Sequence, residues 1–340
     1  MEREEEAAKK RRGEIVSEGG RSDERVPQVT VAIINYNGQD YLRELLSSLQ
    51  LQTFREFHIL LVDNGSRDNS LDVVRSTAPS VEIVATGENL GFARAGNLAA
   101  RHARSPFLAL LNTDIKAEAG WLETLVTTAA ENPDVAAVSS KMLLYDRPGV
   151  LNGVGGCMNR LGYTWDRGMF ETDRGQYDRV SEVLFASAGA ALFQRTRFLE
   201  TGGFDDRFFM YHEDVDLCWR LWLRGYRVLT APGGVVHHHF GATTRNARGL
   251  EWRERLGERN NIRSMLKNYE GANVLRALRG LLLLRQAPRR KLVLIRNLAW
   301  NLSVLSETLR LRRSVQESRI RSDEEMSRLI EQRSDVPIRI

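Results

Sequence analysis

Residues 29–66 read VTVAIINYNGQDYLRELLSSLQLQTFREFHILLVDNGS, and their pattern decides the fold. Two apolar runs, VTVAII and FHILLV, stop abruptly at the polar clusters NYNG and DNGS. A run that is apolar throughout, rather than at alternate positions, suits a strand covered on both faces. Between the runs, Tyr41, Leu42, Leu45, Leu46 and Leu49 recur at helical spacing and share one face. The cycle then repeats through a helix near 69–76, a strand VEIV, a helix FARAGNLAARHA, a strand FLALL ending at NTD, and a helix after Gly120. Strands alternating with helices over about 110 residues predict right-handed crossovers and a mainly parallel sheet, an α/β fold. Ligands of such sheets sit beyond the carboxyl ends of the strands, where NYNG, DNGS and NTD all fall.

The bulk properties bound the rest. With 340 residues, 42% of them hydrophobic, the chain can bury a large core as one domain or as a domain with appendages. Cys157 and Cys218 make no disulfide framework and no CxxC pair, which suits a reducing compartment. A net charge of +5 permits a nucleotide, nucleic acid or lipid head group as partner without choosing among them. Residues 1–28 have no apolar core run, so a disordered charged tail is expected there rather than a signal peptide or anchor. No window approaches the roughly 20 uninterrupted apolar residues that span a bilayer. There is no GxGxxG after the first strand and no GxxxxGK[ST], which disfavours dinucleotide dehydrogenases and P-loop enzymes. A nucleotidyltransferase would need a Gly-rich N-terminal loop that this sequence lacks. Residues 141–182, rich in Gly, Asp and Arg, read as a loop-rich insertion beside the site. Order returns with VLFASAGAALFQR, a helix around 213–223 and a strand YRVLTAP, after which the chain turns helical and basic.

Four segments can carry chemistry. FFMYHEDVDLCWRL, residues 208–221, puts Glu213, Asp214 and Asp216 into four positions of an otherwise apolar and aromatic stretch. Acids suit the first turn of a helix, and Val215, Cys218, Trp219 and Trp222 form its buried stripe. Asp216 and Arg220 stand four apart as a surface ion pair, which leaves Asp214 beside the aromatic cluster as a cap or as a group tuned by its environment. Asp63, in LLVDNGSRDNS, is an Asx turn or helix cap, or else a carboxylate accepting a nucleobase N–H. Asp114, in LLNTD, is a strand-tip oxygen ligand suited to a hard divalent cation, or a turn residue. His237, His238 and His239 lack the spaced N/S partners that zinc wants, whereas one of them can pair with Asp114 on Mn2+ or Mg2+.

The ordered set VTVAIINYNGQDYL, LLVDNGSRDNS, NLGFARAGN, LLNTD, GGFDDRFFMYHEDVDLCWRL and VHHHFGAT resembles the family 2 glycosyltransferases. The likeness runs from about 29 to 269 and is closest to the bacterial rhamnosyltransferase-like and galactofuranosyltransferase-like branch. It implies the GT-A nucleotide-diphospho-sugar fold, with a nucleotide-binding half at 29–140, an acceptor half at 141–269 and a basic helical extension at 270–340. It implies an inverting transferase moving a sugar from a UDP- or dTDP-sugar, for instance dTDP-rhamnose, to a glycan or lipid-linked acceptor in cell-surface polysaccharide synthesis. Asp214 would be the catalytic base, supported by Glu213, Asp216 and Arg220. Asn35, Asn37, Asp63, Asn89, Gly91, Phe92, Asn97, Asn112 and Thr113 would line the nucleotide-sugar. Asp114 and His238 would hold Mn2+ or Mg2+, His238 fitting the family's His-x-x-Gly-x-Ser/Thr pattern with Gly241 and Thr243. The chain departs from the family's Asp-x-Asp metal motif at Asn112, whose amide oxygen is neutral. UDP and dTDP present the same base N–H to Asp63, so the sequence does not separate them.

Between 271 and 315 stand ten Lys or Arg (Arg276, Arg279, Arg285, Arg289, Arg290, Lys291, Arg296, Arg310, Arg312 and Arg313) against one acid, Glu307. Leu294, Leu298, Leu302, Leu305 and Leu309 keep helical spacing among them. These helices either pack on the core with a solvated basic face, or lie on anionic lipid at the inner face of the plasma membrane around a cytoplasmic enzyme. No nucleic-acid partner is expected, since the basic residues are not interleaved with stacking aromatics. The competing class is a non-catalytic basic membrane- or nucleic-acid-binding protein that kept the fold.

Overall fold

A computed structural model describes residues 26–159, 162–241, 250–284 and 288–331. The opening stretch is β1 (Val29–Asn35), α1 (Gln39–Gln50) and β2 (Phe57–Asp63). The expected cycle continues with α2 (Ser70–Thr77), β3 (Glu82–Ala85), α3 (Phe92–His102), β4 (Phe107–Asn112), the short β5 (Ile115–Ala117) and α4 (Trp121–Glu131). Strands β3, β2, β1 and β4 lie side by side and parallel. Alternate residues of β1 serve opposite faces: Ala32 and Ile34 join one buried cluster, while Val31 and Ile33 join another with Leu42, Leu45 and Leu49 of α1. That two-sided burial is why the strands read as apolar throughout. Each fully buried leucine of α1 contributes about 1.5–3 kcal/mol relative to an exposed one.

Beyond β4 the sheet is mixed. β6 (Val135–Leu144), β10 (Ala190–Gln194) and β11 (Arg227–His238) complete the order β3-β2-β1-β4-β10-β6-β11-β5, β10 running antiparallel to both neighbours. Two expectations need correction here. The insertion is less loop-like than its composition suggests, because β6 extends into it and β7 (Leu151–Val154), β8 (Gly156–Asn159) and β9 (Thr164–Asp166) form within it. The strand begun at YRVLTAP does not end before the histidines. It passes an irregularity between Ala231 and Val235 and runs on through His238, paired to β6 and β5.

After α5 (Arg195–Glu200) comes α6 (Glu213–Leu223), and the C-terminal part is helical: α7 (Leu250–Asn268), α8 (Gly271–Leu284), α9 (Pro288–Ser303) and α10 (Leu305–Glu317). Ile262, Met265, Tyr269, Ala277, Leu281 and Leu294 enter the same buried cluster as Trp219 and Trp222 of α6. The chain closes with α11 (Asp323–Met326) and β12 (Ile330–Glu331), which pairs with β8. The leucine stripe of the sequence splits, since α9 and α10 are separate helices on either side of Val304. Leu294 is buried, whereas Leu302 and Leu309 are exposed, together with Leu275, Leu292 and Ile295. No helix among the described residues is long and apolar enough to cross a membrane.

Candidate active site

The parallel register sets the ends of β1, β2 and β4 at one level, with Asn35 paired to Asp63 and Ile34 to Asn112. Asn35 Nδ2 donates to Asp63 Oδ1 and to Ser66 Oγ, both at 2.9 Å, and the Ser66 amide donates to Asp63 Oδ2 at 3.2 Å. The turn role of Asp63 is therefore realised. Asn35 Oδ1 is a buried acceptor without a donor among the described residues. Gly38 leaves it room, since a Cβ there would stand 2.5 Å from that oxygen. Asn37, at φ 52°, accepts from the Arg67 amide at 2.8 Å. Asn89 Oδ1 accepts from the Gly91 amide at 2.9 Å, and a Cβ on Gly91 would meet the Phe209 carbonyl oxygen at 2.3 Å. That carbonyl caps α3 by accepting from the Phe92 amide at 2.7 Å. Asn97 is engaged elsewhere: its amide bridges the Phe204 backbone and Asp206, tying α3 to the segment ahead of α6.

Asp114 and Thr113 are buried just past β4, and β11 brings His238 beside them. His238 Nε2 stands 3.4 Å from Asp114 Oδ1, while its Nδ1 is 2.5 Å from Asn152 Oδ1 on β7. With Nδ1–H donated to that amide oxygen, Nε2 faces the carboxylate, where it can donate to Asp114 as an imidazolium or share a bound cation with it. The other two histidines point away. His237 contacts Glu118 at 3.0 Å, and His239 contacts Glu44 at 3.2 Å while stacking on Tyr145. Among the described residues no three His, Cys, Asp or Glu side chains converge, so a hard cation bound here would have Asp114 and His238 from the chain and take its other ligands from elsewhere. Thr243 lies outside the described residues. Gly189 packs on Asn112, with a virtual Cβ 3.1 Å from its Nδ2, and the adjacent Ala188 amide donates to Asp214 Oδ2 at 3.1 Å. The turn at 187–189 thus links the end of β4 to Asp214 of α6.

The turn entering α6 is strained. Tyr211 and His212 sit at φ 70° and 74°, consecutive non-glycine residues in the left-handed region, each costing on the order of 1–2 kcal/mol. Asn260 of α7 holds them, donating to the carbonyls of Met210 at 3.1 Å and Tyr211 at 2.8 Å. The three acids that follow have three different fates. Burial, then the charge of Asp214, pushes the Glu213 carboxyl well above its usual range. Burial also raises Asp214, against two backbone N–H groups, Ala188 and Val215, that stabilise its anion. Asp216 moves the other way, because Lys267 and Arg220 outweigh its burial. The expected Asp216–Arg220 pair forms at 2.9 Å but is a correction in kind: it is buried beneath α7 rather than on the surface.

Two residues of this site escaped the sequence reading. Asn152, which orients His238, gave no signal beyond its neighbours Gly153, Gly155 and Gly156, whose density marks close backbone approach. Asp166, half-buried at the end of β9, is pushed up to about 7 by desolvation and by Asp214, with His238 opposing.

A mixed α/β sheet flanked by helices, with acids at its strand ends, is the GT-A architecture of sugar-nucleotide transferases. Residues 30–202 match the family model for glycosyl transferase family 2. The chain belongs to that family and is a glycosyltransferase. It is 31% identical over 237 residues to an N-acetylglucosaminyl-diphospho-decaprenol L-rhamnosyltransferase of Mycobacterium tuberculosis, covering 63% of this chain and 76% of that protein. An O-antigen biosynthesis protein, RfbC of Myxococcus xanthus, is 29% identical over 221 residues, 62% of this chain but 17% of that longer protein. Among solved structures, GalNAc-T7 with UDP, GalNAc and Mn2+ superposes with a TM-score of 0.57 at 16% identity, over 73% of this chain and 49% of that one. S. aureus TarS 1-349 in complex with UDP gives 0.53 at 17% identity, over 74% and 69%.

Proposed function

We propose that the protein moves a sugar from a UDP- or dTDP-sugar, dTDP-rhamnose first among them, to a hydroxyl of a glycan or lipid-linked acceptor in cell-surface polysaccharide synthesis, inverting the anomeric centre. The observation that carries this reading is the contrast within α6, where Asp214 is a desolvated carboxylate held by two backbone amides, one of them that of Ala188, whose neighbour Gly189 packs on Asn112 two residues from Asp114. Asp214 takes the acceptor hydroxyl proton as that oxygen forms its bond to the anomeric carbon. The bond to the nucleoside diphosphate breaks on the opposite face, the electron pair leaves with the phosphate, and one displacement inverts configuration. Asp114 and His238 would hold Mn2+ or Mg2+, which when bound supplies charge neutralisation for the departing diphosphate. Asn35 Oδ1, a buried acceptor without a donor among the described residues, suits the base N–H of uracil or thymine beside Asp63. The rhamnosyl donor and lipid-linked acceptor are supported by the name of the Mycobacterium tuberculosis relative.

The same reading makes the protein cytoplasmic and peripheral at the inner face of the plasma membrane. Its support is the outer side of α9, where Leu292, Ile295 and Leu302 are exposed beside Lys291 and Arg296. Co-sedimentation with anionic vesicles at low salt, lost on Lys291→Glu with Arg296→Glu, is the expected result. Retention in the supernatant without mutation would remove the membrane contact from the reading.

The donor site is tested by thermal unfolding with UDP, dTDP, GDP or CMP, each with and without Mn2+. Binding to the folded chain adds about 2.7 kcal/mol at a hundredfold excess over Kd. A Mn2+-dependent shift with UDP or dTDP, absent in Asp114→Ala, is expected. No shift with any nucleotide would leave the non-catalytic binding protein as the better description.

A further inference from the structure

Of the three consecutive histidines, His239 has no part in the displacement above, yet it stands in a second polar cluster. Its Nε2 lies 3.2 Å from Glu44 Oε2, on the first helix, α1. The other oxygen of that carboxylate, Oε1, accepts from the Tyr145 hydroxyl at 2.9 Å and from Lys116 Nζ at 3.2 Å. The rings of Tyr145 and His239 stack with their centroids 3.7 Å apart, and Tyr41, one turn before Glu44, meets His239 at 5.0 Å. One carboxylate thus ties α1 to β5, to the residue after β6 and to the residue after β11.

The main chain of the same residues seats the cation pair. The His239 amide donates to the Asp114 carbonyl at 3.0 Å, and the Tyr145 amide donates to the His238 carbonyl at 3.0 Å. Where β5 meets β11, Lys116 stands opposite His237 and Ile115 opposite His238. Asn152 orients the His238 ring. The backbones of Asp114 and His238 are each held by a residue whose side chain Glu44 grips.

Stability is a weak account of this convergence. Glu44 keeps 33% and Lys116 47% of its side-chain surface in water, and ion pairs so exposed contribute little. Nor does Glu44 complete a ligand set, since no three His, Cys, Asp or Glu side chains converge among the described residues. Three donors on one carboxylate fix a geometry, and the atoms fixed here govern the 3.4 Å between Asp114 Oδ1 and His238 Nε2. We infer that Glu44 is a positioning residue for the cation pair. Through His239 and Tyr145 it holds the main chain of both ligands in place, so that a divalent cation meets them already aligned. It acts through these two residues and is not itself a ligand.

This inference rests on the reading that Asp114 and His238 hold Mn2+ or Mg2+, and the experiment separates the two. Free Mn2+ is followed by electron paramagnetic resonance with the full chain at saturating UDP and, in parallel, dTDP. Glu44→Ala should raise the Mn2+ Kd about tenfold, the low end for residues that orient metal ligands. Glu44→Gln should raise it less, because its amide oxygen still accepts from Tyr145. Tyr145→Phe, which keeps the ring on His239, should also raise it. Melting without Mn2+ should stay close to wild type. Lowered melting with an unaltered Mn2+ Kd is what a merely structural cluster gives, and it overturns the inference. If Glu44→Ala both melts early and binds Mn2+ weakly, the glutamine and phenylalanine variants decide: a raised Kd at unchanged melting upholds the role, and an unaltered Kd overturns it. An unaltered Kd in all three variants, with Mn2+ lost in Asp114→Ala, overturns the role of Glu44 and leaves the cation pair standing. Wild-type protein that binds no Mn2+ with either nucleotide overturns both.

Discussion

Neighbouring positions in the first turn of α6 put the same chemical group to opposite uses. On the side beneath α7, Asp216 accepts from Arg220 at 2.9 Å, Lys267 at 3.0 Å and Asn268 at 3.2 Å. Asp205 joins that network through Arg263 and Lys267. Burial would raise both carboxyls, but the adjacent cations outweigh it and hold both low. Glu213 and Asp214, in the same turn, are desolvated with no cation against them among the described residues, and both are raised. Burial alone therefore does not set an acid's behaviour. The counter-charge does, and Arg220 and Lys267 supply it to Asp216 but not to Glu213 or Asp214.

The contrast can be broken from either end, and the largest effect is expected at Asp214. Asp214→Asn should lower kcat by about 10²–10⁴, the usual contribution of a positioned proton acceptor, while chemical denaturation shows no loss of stability. Equal loss of activity and fold would mean that Asp214 is a structural acid like Asp216. On the buried side, Lys267→Met removes the cation shared by Asp205 and Asp216, leaving each with one arginine, and should cost about 3 kcal/mol in urea unfolding, the low end for breaking a buried pair. A cost under about 1 kcal/mol, the range of an exposed pair, would show that Asp205 and Asp216 do not depend on it. Between the two, Asn260→Ala leaves the Met210 and Tyr211 carbonyls without their donor, for about 1–3 kcal/mol of stability, and should also lower kcat. Stability loss with kcat intact would separate the strained turn from catalysis.

The smallest effect is a slope. The Glu213 carboxyl keeps its proton in the folded chain over a range where the unfolded chain, near 4.5, has lost it. The folded state then binds more protons, so wild-type stability falls as pH rises through that range, by at most about 1.4 kcal/mol per pH unit. Glu213→Gln should remove this slope, melting close to wild type at pH 5 and above it at pH 8. Parallel melting curves at every pH would show that Glu213 ionises normally.

How much of this was legible in the sequence follows from range. The strands and helices of 29–131 were readable because two-sided burial and helical spacing are local patterns. Glu213 and Asp214 were readable as the acids of an aromatic turn. The partners of Asp216 were not, since Lys267 and Asn268 lie more than fifty residues downstream and nothing local distinguishes a surface ion pair from one covered by a later helix. The insertion hid its strands because Gly153, Gly155 and Gly156, which normally weaken strands, allow Asp166, Val183 and Phe185 to approach. Asn97 looked like a ligand contact, whereas its amide is spent on Phe204 and Asp206. The roles of Asp63, Asp114 and His238 toward donor and cation stand as proposals.

The clamp of Asn260 on the Tyr211 turn has a consequence for synthesis of the chain. A nascent polypeptide released as far as residue 249 already carries every acid, amide and imidazole assigned above to donor, cation and acceptor. It lacks Asn260, Arg263 and Lys267, the groups that fix the turn and neutralise Asp205 and Asp216. The late helices thus complete the support of the α6 turn, and a chain stopped at residue 249 is expected to hold that turn less firmly than the whole chain.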